Sequence, residues 1–123
     1  MSTVVLDHTA LLAIRRSQHV ARAIATAPAT GGHLLVPAMC LLAAAAQDPP
    51  IADHVGALHN VHIVELGLPG ARFAAPVLAA GVAWSHVHAG EVARVSPVQP
   101  HGLLVMTADP QVYAPFNIET FTL

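Results

Sequence analysis

The chain has 123 residues, 54% of them hydrophobic and only 10% charged, with a formal net charge of −2 when histidine is neutral. That is enough for one domain (residues 1–123) with a sizeable core, and the charge balance excludes general attraction to nucleic acid or anionic membranes. So few charges leave an apolar surface that favours a partner, and a homodimer is expected.

Thr3–Leu6 is a short apolar run rich in β-branched residues, which predicts a strand buried on both faces. A helical stretch follows from His8, and Ser17 is placed to cap a second helix running through Thr26. "TAPATGG" is expected to break that helix with its proline and glycines. His33–Val36 predicts a second strand, and Pro37 opens a helix to about Ala46. Asp53–His59 predicts a further helix and Val61–Leu66 a third strand. Pro69 and Gly70 mark a turn. Ala71–Ala83 and Ser85–Val95 predict two alanine-rich helices, "SPVQPHG" a loop, Leu103–Met106 a fourth strand, "TADP" a strand-to-helix turn and "FNIETFTL" a last strand. Strands alternating with helices predict an α/β fold, a three-layer α/β/α sandwich with a parallel sheet of about five strands.

Several groups exclude functions. Cys40 is the only cysteine, so no internal disulfide forms, and in "LLVPAMCLLAAAA" it reads as core filler. No signal-peptide pattern opens the sequence, and the longest apolar run, Leu34–Ala46, is shorter than the about 20 residues a bilayer needs; a cytoplasmic protein with no membrane contact is expected. All five basic residues are arginines, and Arg15, Arg16 and Arg22 lie close together, a small patch read first as a solvated helix face. No glycine-rich fingerprint follows any strand, which argues against a Rossmann-type nucleotide binder.

Two acids carry the functional question. Asp7 and Asp109 each follow a buried strand at its carboxyl end, where α/β sheets place their sites. Each could simply cap the helix that follows it. If the two strands are neighbours, both carboxylates emerge at one edge, and like charges there need a cation or a proton between them.

"VVLDHTALLA", "LLVPAMCLLAAA", "WSHVHAGEVA" and "LLVMTADPQVY", in this order, resemble the landmark segments of PIN domains, the metal-dependent nuclease fold of toxin–antitoxin ribonucleases. The likeness spans Val4 to Tyr113. It implies a carboxylate cluster holding Mg²⁺ or Mn²⁺, which would activate a water against the phosphodiester of single-stranded RNA. Asp7 matches the first acid and Asp109 the last, both as metal ligands, with Thr9 and Thr107 as the hydroxyl residues beside them. The two middle acids are missing: Ala43 stands where the family commonly has glutamate, and Ser85 where it has aspartate.

Losing two carboxylates halves a site charge of about −4, and at an effective dielectric near 20 each unit-charge pair at 4 Å is worth at most about 4 kcal/mol before solvation. Affinity for Mg²⁺ should therefore fall by orders of magnitude. The expected function is a PIN-like endoribonuclease fold with a reduced acidic site, weakly active or inactive, as the toxin of a pair with an antitoxin. The alternative is a non-catalytic dimeric module that binds RNA or a regulatory protein.

Nine histidines complicate the picture. His8, His86 and His88 could replace lost carboxylates and shift preference toward Mn²⁺, Zn²⁺ or Ni²⁺. Residues two apart on a helix point about 200° from each other, however, so His86 and His88 cannot face one ion. One is expected to be packed and hydrogen-bonded, the other wet. His33, His59, His62 and His101 carry no further signal.

Overall fold

The computed structural model describes residues 3–123. Five parallel strands form one sheet in the order β3-β2-β1-β4-β5, from β1 (Thr3–Leu6), β2 (His33–Pro37), β3 (Val61–Val64), β4 (Leu104–Thr107) and β5 (Thr120–Thr122). Helices cover both faces, so the architecture is the three-layer α/β/α sandwich expected.

Strand periodicity divides the core in two. Leu6, Leu34, Val36 and Met106 face one layer, with α1 (His8–Leu12), α2 (Gln18–Thr30), α3 (Ala38–Gln47) and α4 (Ile51–Gly56) packed on them. Val5 and Val105 face the other, against α6 (Trp84–Ala93) and a 3₁₀ helix over Pro110–Phe116. α5 (Gly67–Ala79) lies outside α6. Cys40 reaches the second core from α3 and is fully buried.

The departures from sequence expectation have local causes. Pro28 does not end α2, which runs to Thr30; the stop is Gly31, whose left-handed φ of 69° lets its N–H return to the Ala27 carbonyl. Pro69 does not make a turn either. It sits in the first turn of α5, where a helix needs no N–H. α4 begins earlier than Asp53, after Pro50, and stops at Gly56 because Leu58–Asn60 must turn into β3 through Asn60 at φ 58°. β3 ends at Val64, where its partner β2 ends at Pro37 and turns into α3.

The consequence for function is the adjacency of β1 and β4, in register Val4↔Leu104 to Leu6↔Met106. Asp7 and the Thr107–Asp109 segment therefore leave the sheet side by side.

Candidate functional site

Asp7 follows β1 in extended backbone and caps α1: its Oδ1 accepts the Ala10 N–H at 3.1 Å and the Thr9 hydroxyl at 2.6 Å. Its Oδ2 accepts the Tyr113 phenol at 2.6 Å. The carboxylate is fully buried, and three donors occupy it. Burial and the neighbouring Asp7 push the Tyr113 phenol well above its ordinary pKa, so it keeps its proton and donates.

The two threonines extend this network. With Thr9's proton committed to Asp7, the 3.3 Å contact to Thr107 has Thr107 donating to Thr9. Thr9 Oγ1 also accepts the Ala108 N–H at 2.8 Å, and Thr107 Oγ1 the Asp109 N–H at 2.9 Å. Both hydroxyls thus tie the turn after β4 to the start of α1.

Asp109 behaves differently from Asp7. It holds the N-cap position of the 3₁₀ helix but makes no side-chain cap bond. Its Oδ2 instead receives His86 Nε2–H at 3.2 Å, and His86 Nδ1 lies 3.5 Å from the Ser85 hydroxyl. Asp109 is part-exposed while His86 is nearly buried. The His86 ring meets Tyr113 edge-on at 5.8 Å and His8 at 4.7 Å between centroids. Ring contacts thus link Tyr113, bound to Asp7, with His86, bound to Asp109.

His8 Nδ1 is buried without a partner, and burial first, then His86, hold its pKa below the ordinary 6.5 against the opposing pull of Asp7, the Ser85 carbonyl and Asp109. Cys40 donates its thiol to the Ser85 carbonyl at 3.3 Å, and burial, reinforced by Asp7, pushes it up to about 12, so it is inert.

The expectation of one packed and one wet histidine fails. His86 and His88 are both buried, because α6 is enclosed by α3, α5 and the sheet. They diverge as helix geometry requires. His88 Nδ1 accepts the Met39 N–H at 3.2 Å, while its Nε2 has no hydrogen-bond partner and lies 4.0 Å from Glu91.

Mg²⁺ and Mn²⁺ need several free oxygen ligands. Both Asp7 oxygens serve protein donors, Asp109 is engaged by His86, Ala43 is a buried methyl group and Ser85 carries no charge. Among the described residues no three His, Cys, Asp or Glu side chains converge as a metal group would require. As arranged, this donor set does not fit a hard divalent cation.

Tyr113, and the pairing of His86 with Asp109, are what sequence reasoning missed. Tyr113 is the sole tyrosine, and its distance along the chain from Asp7 left no local pattern to find it by. Beside the rim, Arg16 joins Thr9, Leu12 and Ala108 around a hollow of about 300 Å³, and with Arg15 it borders a second of about 250 Å³ with Asp48 and His54. Arg22 is exposed on α2. No helix among the described residues is long and apolar enough to cross a membrane. Compared with known proteins, the sequence matches no family model and no curated protein.

Proposed function

We propose that this chain is a nuclease-derived PIN-like domain that has given up metal-dependent cleavage and keeps the fold to bind single-stranded RNA as a homodimer. The observation that carries the reading is the Tyr113–Asp7 hydrogen bond, which places a buried phenol on the carboxylate that a PIN nuclease would present to its metal. A carboxylate with three donors has little left for Mg²⁺ or Mn²⁺.

Arg15 and Arg16 supply the local positive charge that the net charge does not, and Arg16 borders the hollow beside Thr9 and Ala108. Such a patch contacts phosphates rather than bases, so binding should weaken with salt and discriminate poorly between sequences. Exposed Leu42, Leu68 and Trp84, at 57%, 62% and 45%, are apolar surface that a second copy would cover.

The test is an assay of single-stranded RNA with Mn²⁺ on the wild type, Asp7→Asn and Arg15→Ala/Arg16→Ala. Binding without cleavage is expected, with the double arginine variant losing affinity and about two units of the log–log salt slope. Cleavage by the wild type that Asp7→Asn abolishes would restore the second reading, a weakly active toxin ribonuclease, which the part-exposed Asp109 on the same rim favours.

A further inference from the structure

At the opposite end of the sheet from the acids, two histidines that the sequence leaves 29 positions apart come together. His33 Nδ1 and His62 Nε2 are 3.1 Å from each other, with ring centroids 5.2 Å apart and planes inclined by 50°. The register explains the meeting. His62 pairs with Leu35, two residues after His33, so both imidazoles project from one face of neighbouring parallel strands.

The backbone under them is pinned. Leu34 N–H donates to the Asn60 carbonyl at 2.9 Å, and the Asn60 side-chain amide donates to the Gly32 carbonyl at 3.2 Å. These bonds fix the start of β2 against the start of β3 on either side of the pair. Both histidines are exposed, and β3 is an edge strand, so an ion reaches the pair directly from solvent.

Two nitrogens that each sit about 2.0–2.1 Å from one ion, at ligand–metal–ligand angles of about 90–110°, are about 2.8–3.4 Å apart. The observed 3.1 Å lies inside that interval. We infer that His33 and His62 form a two-imidazole site for a borderline divalent transition metal, Zn²⁺ being the type, with water completing the shell. Imidazole nitrogen selects Zn²⁺, Ni²⁺, Co²⁺ and Cu²⁺ over Mg²⁺ and Ca²⁺. The site is separate from the acidic rim and stands whether or not the proposed function does. In the absence of metal the two nitrogens share a single N–H···N hydrogen bond, which the ion replaces.

The experiment is a Zn²⁺ titration of the tag-free protein, followed by calorimetry and by imidazole ¹H–¹⁵N NMR. Shifts are expected at Nδ1 of His33 and Nε2 of His62, with His33→Ala and His62→Ala each lowering affinity at least about tenfold and His101→Ala leaving it unchanged. Both ligand positions are exposed, so neither variant threatens the fold. The site is refuted if wild type shows no Zn²⁺ binding, if the His33→Ala/His62→Ala double variant binds as tightly as wild type, or if the shifting rings are His8 and His86.

Discussion

Tyr113 donates its phenol to Asp7 at 2.6 Å and joins two residues 106 apart in the chain. The bond fastens the 3₁₀ helix after β4 onto the N-terminus of α1, so one buried carboxylate holds the carboxyl ends of two strands and the first turn of a helix. Tyr113→Phe removes one donor and leaves a charged oxygen buried with nothing to meet it. The expected loss is about 2–3 kcal/mol of unfolding free energy, read by urea denaturation. An unchanged midpoint would mean that water replaces the phenol.

Variants of Asp7 separate its cap from its charge. Asp7→Asn keeps an oxygen for the Ala10 N–H, and its amide donates to a Tyr113 oxygen that then accepts. Asp7→Ala loses the cap, worth about 0.5–2 kcal/mol, and strands the Thr9 and Tyr113 hydroxyls as well. Thermal unfolding should therefore rank wild type above Asp7→Asn and Asp7→Ala last. Equal melting temperatures for the two variants would show that the network contributes nothing beyond its charge.

The buried imidazoles set a pH dependence. Burial holds His8 and His88 below the ordinary 6.5, so the unfolded chain takes protons there that the folded chain refuses. Stability is then full above about pH 6.5 and is lost as pH falls from there toward the folded values. Glu91 runs the other way, raised from 4.5 chiefly by burial with Arg94 opposing, and its relief on protonation comes below its raised value. Melting temperature should fall between about pH 7.5 and 5.5. His88→Asn, which keeps an acceptor for the Met39 amide, should fall less; a profile as steep as wild type would acquit His88.

Gly90 on α6 is a close approach rather than a turn. A Cβ there would stand 2.4 Å from the Phe116 ring, and Phe116 lies 6.2 Å from the Tyr113 ring and 6.1 Å from Phe73. Gly90→Ala must push this aromatic group outward and strain the Tyr113–Asp7 bond with it, costing about 1–3 kcal/mol by overpacking. Denaturation of the single variant and of Gly90→Ala/Tyr113→Phe measures this; if the two losses add fully, the ring displacement does not reach Tyr113.

What could be read in the sequence was what short windows encode. Thr3–Leu6 declares itself by a β-branched apolar run closed by an acid, and the layer architecture follows from the alternation of such runs with helical stretches. Asp7 and Asp109 were visible as acids at strand ends, and the cap reading suits Asp7 but not Asp109, whose side chain reaches His86 instead. Tyr113, the Asp109 partner of His86 and the His33–His62 pair were not visible, because each contact forms only through strand order, register and packing. Pro28 and Pro69 misled for different reasons: Pro69 falls in the first turn of α5, where no N–H is needed, whereas α2 carries Pro28 one hydrogen bond short and ends only at Gly31.

The position of β1 has a consequence for biosynthesis. It is the middle strand of the sheet, and one of its two neighbours pairs Leu104 with Val4. During translation Val4, Val5 and Leu6 leave the ribosome long before that neighbour exists, and a half-built sheet with one naked apolar flank is what the nascent chain must carry meanwhile. Such late closure slows folding and exposes the intermediate to aggregation. Yield in the cell should accordingly depend on holding chaperones as much as on the stability of the finished domain.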